Sequence, residues 1–187
     1  MVIPMVTLRH ALAVLLALIA CTMAPAIAHE IRPAIATVSL SAPERMDIAI
    51  SANLEALLAG IGPEHKDTDD APGATQYNSL RALDPEALKV RFLAFAPKWL
   101  DGLRIEVDGA RVTPTLANID IPTSGDIKQA RISTARLTAA VPSTATSLTW
   151  TYPAAFGTSV LRVNQIGGPE KDPVTAWLKD GVTSDPI

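Results

Sequence analysis

The chain has 187 residues, with 16 basic and 19 acidic side chains and a formal net charge of −3 at pH 7. This length suits one domain with a substantial core. The mixed, slightly acidic charge argues against nucleic-acid binding, which needs clustered lysine and arginine.

The first 28 residues have the features of a secretory signal peptide. Arg9 precedes an apolar run over 11–20, a proline follows, and the Ala-Ile-Ala sequence ending at Ala28 supplies the small residues that signal peptidase needs. Cleavage there predicts an exported, periplasmic domain over 29–187. His29 would be its new amino terminus.

A second processing site competes with this one, because 18–21 (Leu-Ile-Ala-Cys) has the shape of a lipobox. Lipidation at Cys21 would anchor the domain to a membrane. The helix-breaking Pro25, followed by Ala-Ile-Ala, instead favours cleavage by the ordinary signal peptidase after Ala28. The ordinary cut leaves no cysteine, which excludes disulfides, thiolate zinc sites and cysteine nucleophiles. Neither route leaves a lasting transmembrane helix in the mature chain, because the apolar run is short for a bilayer.

The mature chain opens with alternating apolar and polar residues over 33–40 and 46–52, separated by a turn at 41–45. This period of two predicts a hairpin of half-buried strands. The period changes at Asn53, which can cap a helix that Gly60 then ends.

The next segment, 62–73, is rich in acidic residues, glycine and proline and has almost no apolar side chain, which predicts an exposed loop. A second helical region follows from Tyr77 to Leu100, with Asp84 and Pro85 suited to a helix start. Within it, apolar residues recur at helical spacing and predict a stripe that faces the core; they are Leu88, Phe92, Phe95 and Trp99. Pro97 predicts a break or kink in this helix.

Strands resume at 103–107, and Asp108-Gly109 predicts a tight hairpin turn into 110–112. Pro114 and Pro122 should keep the return strand at an edge or end it. Further strands are predicted around 135–141, 148–152, 160–163 and 174–178. With no alternation of strands and helices, we expect a mainly β fold: an antiparallel, Ig-like β-sandwich with a helical segment inserted at about 53–102.

Six residues are candidate metal ligands: His29, Glu30, His65, Asp67, Asp69 and Asp70. After cleavage His29 would offer its α-amino and imidazole nitrogens, a set that suits nickel, copper or zinc. The spacing in the loop does not match a calcium-binding EF-hand. An ordinary amino terminus and a solvated acidic loop are the alternative interpretations.

Motifs for catalysis are missing from the chain: it has no Gly-x-Ser-x-Gly, no phosphate-binding loop and no His-Glu-x-x-His. We therefore expect no enzymatic activity. A copper oxidase that uses His29 is an alternative, with His65 as the other histidine of the mature chain.

Several segments together resemble the extracytoplasmic amino-terminal region of the HupE/UreJ family. They are 29–33 (His-Glu-Ile-Arg-Pro), 53–61, 67–74, 80–83 (Leu-Arg-Ala-Leu) and 148–150 (Leu-Thr-Trp). These membrane proteins are associated with hydrogenase and urease systems, so the resemblance implies a role in nickel supply or in docking to a membrane permease or a metal-enzyme assembly partner. Longer members continue into transmembrane helices, and this sequence has no comparable apolar span after residue 28. The alternative is a structural interaction module that binds a partner through a sheet edge without metal.

Overall fold

The computed structural model describes residues 32–65, 67–126, 129–164 and 173–187. Strands dominate this part of the chain. They are β1 (Ala34–Ala42), β2 (Arg45–Asn53), β3 (Arg104–Val107), β4 (Ala110–Val112), β5 (Thr115–Asp120), β6 (Ile132–Ala140), β7 (Leu148–Thr151), β8 (Ser159–Val163) and β9 (Val174–Leu178). The expected mainly β class is confirmed.

Three α-helices lie between β2 and β3: α1 (Leu54–Ala59), α2 (Ala74–Arg81) and α3 (Pro85–Gly102). The start of α1 is capped as the sequence predicted, because the Asn53 side chain accepts a hydrogen bond from the Ala56 N–H. Gly60 ends this helix in the left-handed conformation, with φ of 66°, which glycine adopts without steric cost. A short 3-10 helix covers Ala154–Phe156.

The strands form two sheets. One has six strands in the order β5-β6-β2-β1-β8-β9, and the other has three in the order β4-β3-β7. The β1–β2 hairpin and the β3–β4 hairpin pair antiparallel, as predicted. The prediction of antiparallel strands is wrong for β1 and β8, which pair in parallel. No tight turn joins these two strands, so nothing in their local sequence reveals the direction in which they meet.

Both sheets and α3 contribute to one hydrophobic core. On α3, Leu88, Phe92 and Trp99 are fully buried and Phe95 is partly buried, so the predicted apolar stripe is confirmed. The rings of Phe92 and Trp99 meet edge to face, with centroids 5.3 Å apart. This stripe therefore fastens the longest helix to the sheets.

Pro97 does not end α3, which continues to Gly102. Of the predicted break or kink, the break is therefore wrong, and the kink stays a prediction. The proline itself is exposed, while its neighbours Ala96 and Trp99 are buried. Packing of the buried face holds the last turn in place despite the missing backbone hydrogen bond.

The return strand after the Asp108–Gly109 turn is two strands in the structure. β4 ends at Val112, and the chain then crosses from the three-stranded sheet to the six-stranded sheet to form β5. Pro114 lies buried at this crossing. β5 forms an edge of its sheet, as the two flanking prolines predicted.

Candidate functional site

The acidic loop lies between α1 and α2. Its Asp69 and Asp70 are exposed, as predicted, but Thr68 and Ala71 are buried. Ala71 packs in a small apolar cluster with Ala56, Ile61 and Tyr77. The prediction of a fully exposed loop is therefore wrong: the carboxylates face solvent while the loop is anchored at its second half.

Asn53 and Tyr77 strengthen this anchor. The Asn53 side-chain amide donates a hydrogen bond to the Tyr77 hydroxyl at 3.0 Å, in addition to capping α1. Burial raises the pKa of Tyr77, so its hydroxyl stays neutral and able to hydrogen-bond at physiological pH. One polar pair thus connects the end of β2 to α2.

The candidate ligands in this loop do not converge. The Nε2 atom of His65 lies 3.2 Å from Oε1 of Glu64, while Oδ1 of Asp67 accepts a hydrogen bond from the Asp69 N–H at 3.0 Å. In the part of the chain that the structure describes, no group of three or more such side chains could hold a metal ion.

The other two candidate ligands, His29 and Glu30, lie outside the described residues, as do the predicted signal peptide and the lipobox. Ile35 near the start of β1 pairs with Ser51 near the end of β2. β1 therefore begins at the end of the sheet where β2 ends and where the chain continues through α1 into the acidic loop. A metal site that joins His29 to this loop stays a prediction.

Glu55, Arg81 and Arg131 form a buried cluster of ion pairs. Glu55 on α1 is fully buried, and its Oε1 atom lies 2.7 Å from Nε of Arg131 and 3.4 Å from Nη1 of Arg81. Arg81 and Arg131 are also buried, with 2% and 4% of their surfaces exposed, respectively. The sequence does not reveal this cluster, because Arg81 and Arg131 are 26 and 76 residues away from Glu55 along the chain.

Backbone carbonyls also accept hydrogen bonds from the two guanidinium groups. Arg131 donates to the carbonyls of Leu80 and Leu83, and Arg81 donates to those of Asp126 and Gln129. The cluster thus joins α1, the end of α2 and the chain that precedes β6. Its enclosure in the protein suits a structural role, because no side of the carboxylate is open to a substrate.

The sheet edges differ in their protection against pairing with another chain. On β5 the register shifts between Leu116 and Asn118, and Asp120 forms an ion pair with Arg136 at 2.7 Å. Irregular register and charged side chains hinder the addition of a further strand. One edge of the six-stranded sheet is therefore protected.

The three-stranded sheet is protected in two other ways. β4 is only three residues long, and the outer side of β7 is covered by the chain near residue 187. There the Leu148 N–H donates to the Ile187 carbonyl at 2.8 Å, and the Ile187 N–H donates to the Leu148 carbonyl at 3.0 Å. Short edges and covered edges both resist strand addition.

Among the described residues, the edge strand β9 shows none of these devices. Its sequence, Val-Thr-Ala-Trp-Leu, has no charge and no proline, and its register with β8 is regular from Val174 to Leu178. Within the described ranges, no strand pairs with its outer side. Trp177 projects from β9 with 60% of its surface exposed. This combination is typical of a surface that accepts a partner.

In comparisons with known proteins, no family model and no curated protein matches the chain. Among the described residues, no helix combines the length and apolar character needed to cross a membrane.

Proposed function

We propose that this chain is a non-catalytic, exported accessory domain of the HupE/UreJ type that docks to a membrane permease. The resemblance of the segments at 29–33, 53–61, 67–74, 80–83 and 148–150 supports the family and the periplasmic location. The observation that carries the docking function is the unprotected β9 edge with its exposed Trp177.

Docking by strand addition follows from the chemistry of this edge. An extended segment of the partner can hydrogen-bond to the outward N–H and C=O groups of β9, which pair with no strand of the described ranges. Alternate side chains then determine which segment fits. Trp177 offers a large apolar surface at low conformational cost, and tryptophan is enriched among the residues that dominate binding energy. The neighbouring Thr175 is exposed as well, so the docking surface consists of β9 with these two side chains.

We further propose that the two sheets form an Ig-like sandwich. Their shared hydrophobic core supports this arrangement. In such a sandwich the outer strands are the positions where further strands are added, which agrees with docking through β9.

Site-specific crosslinking in cells that export the protein tests the docking function. A photo-crosslinking amino acid at position 175 should form an adduct with an integral membrane protein, identified by mass spectrometry. The replacement Trp177→Lys should abolish this adduct, because it places a charge on the docking surface. The stability of the Trp177→Lys protein should differ little from that of the wild type, since Trp177 is largely exposed.

Position 90 provides the matched control, because Val90 is an exposed apolar residue on α3, with 67% of its surface accessible. The same crosslinker there should not capture the membrane protein. If position 175 gives no membrane-protein adduct, or if the adduct persists in Trp177→Lys, the docking proposal fails.

Metal supply is the second candidate function. His65 lies beside Glu64 at 3.2 Å, in a loop that leaves the sheet at the end where β1 begins. Imidazole and carboxylate ligands from the loop and the amino terminus together would suit nickel, copper or zinc.

A further inference from the structure

A cavity of about 100 Å³ opens at one end of the two sheets, and Trp177 is not among the residues that line it. Strands of both sheets line it with apolar side chains, chiefly Val38, Leu40, Met46, Val107, Val141 and Leu148. Among the described residues, no charged side chain lines this cavity. Neither the docking surface nor the metal hypothesis uses it.

Two of the polar residues that line it, Thr146 and Ser147, already form hydrogen bonds within the protein. The hydroxyls of Thr146 and Ser147 donate to Oδ1 of Asp108 at 2.9 and 3.1 Å. A bound water needs two to four polar partners, and an apolar cavity without them favours hydrocarbon. The lining therefore selects against ions and against strongly hydrated groups.

The volume of the cavity further restricts which ligands can fit. An engineered apolar cavity of about 150 Å³ binds benzene or xenon, so this smaller cavity of about 100 Å³ suits a few aliphatic carbons. Two of the residues that line the cavity, Thr146 and Asn164, are exposed to solvent. A longer molecule can thus insert one end and leave its remainder in solvent.

We propose that this cavity binds the end of an aliphatic chain. Transfer of a terminal methyl and its neighbouring methylenes from water to this lining is favourable, because it removes apolar surface from water. The chemistry is the same whether the chain belongs to a free molecule or to a membrane lipid, and the experiment separates these sources.

The test uses xenon and 1-octanol as probes and follows the methyl NMR signals of the lining residues. We expect saturable shifts at Val38, Val107 and Leu148 with both probes, and a rise in the thermal midpoint with octanol. Val141→Phe should reduce the apparent affinity at least tenfold, because the larger ring occupies the cavity. Val90→Phe, the same change at an exposed site of α3, should bind the probes as the wild type does.

If Val141→Phe does not fold, Val163→Phe provides the second variant, because Val163 lines the cavity and is only partly buried. Absence of saturable shifts in the wild-type protein would overturn the proposal. So would unchanged binding in a folded phenylalanine variant.

Phosphatidylcholine vesicles distinguish the two sources. Sedimentation of the wild type with vesicles, lost in the phenylalanine variant, assigns the bound chain to a lipid. Octanol binding without sedimentation assigns it to a free aliphatic molecule. Either result supports an aliphatic-chain site.

Discussion

Replacement of the Glu55 carboxylate should strongly destabilise the structure. It is fully buried between Arg81 and Arg131, which are buried as well. Glu55→Ala leaves both cations without their carboxylate partner, so we expect a loss of about 3–5 kcal/mol in the free energy of unfolding. Urea denaturation monitored by tryptophan fluorescence measures this loss.

Glu86→Ala is the control, because Glu86 is an exposed acidic residue at the start of α3. Its effect should be within about 1 kcal/mol, including the loss of a favourable charge near the helix start. A similarly small effect for Glu55→Ala would show that the cluster contributes little to stability.

Asp108 should make stability depend on pH. Hydrogen bonds from the Thr146 side chain, and then from its backbone N–H, lower the pKa of Asp108 below its ordinary value of 3.8. A folded-state pKa below the unfolded-state pKa gives a contribution that is present above the unfolded value and is lost as the pH falls through the folded value.

We therefore expect Asp108→Asn to lower the free energy of unfolding at pH 7. The difference in free energy of unfolding between this variant and the wild type should shrink as the pH falls below 3.8. Asparagine suits this position because it tolerates the positive φ of 49°. Urea denaturation between pH 7 and pH 3 measures the difference, with the exposed Asp185→Asn as control. A difference that is constant over this range contradicts the assignment.

At the scale of the element, α3 depends on its buried face. Phe92 is fully buried and contacts both Phe95 and Trp99. Phe92→Ala should lower the free energy of unfolding by about 3–5 kcal/mol, because it removes a large apolar side chain and leaves a cavity.

Leu93→Ala is the matched control on the same helix, since 48% of Leu93 is exposed. Thermal and urea unfolding of both variants should separate them clearly. If Phe92→Ala unfolds like the wild type, α3 is a detached lid whose apolar stripe serves a partner.

Local sequence was a reliable guide to the helix ends and less reliable inside α3. Asn53, Gly60 and Asp84 act through neighbours within a few residues, so their capping roles were predictable and are confirmed. The effect of Pro97 depends on the packing of Ala96 and Trp99 against the sheets, which local propensity does not include.

At the scale of the whole molecule, the metal hypothesis depends on processing as well as on folding. Cleavage after Ala28 would free the α-amino group of His29 as a ligand. Equilibrium dialysis of the exported protein, with its start confirmed by intact mass, should then detect binding of nickel, copper or zinc. Affinity should fall as the solution is made acidic, because these ligands must be deprotonated to bind a metal.

His65→Ala should weaken this binding at least tenfold, and so should one extra residue before His29, because it blocks the α-amino ligand. Asp185→Ala is a control for the loss of an exposed acidic residue away from the loop. If the wild type binds no metal at micromolar concentration, or if neither His65→Ala nor the added residue weakens binding, the metal-supply proposal fails and docking remains the proposed function.

The sequence by itself determined the mainly β class, the hairpins and the buried stripe of α3, because alternation, turn residues and helical spacing are local properties. Only the tertiary structure decided the parallel pairing of β1 with β8, the Glu55 cluster and the different protection of each edge. These features join residues far apart in the chain. The pairing direction of distant strands and the partners of a buried charge depend on how the whole chain packs, which no short segment encodes.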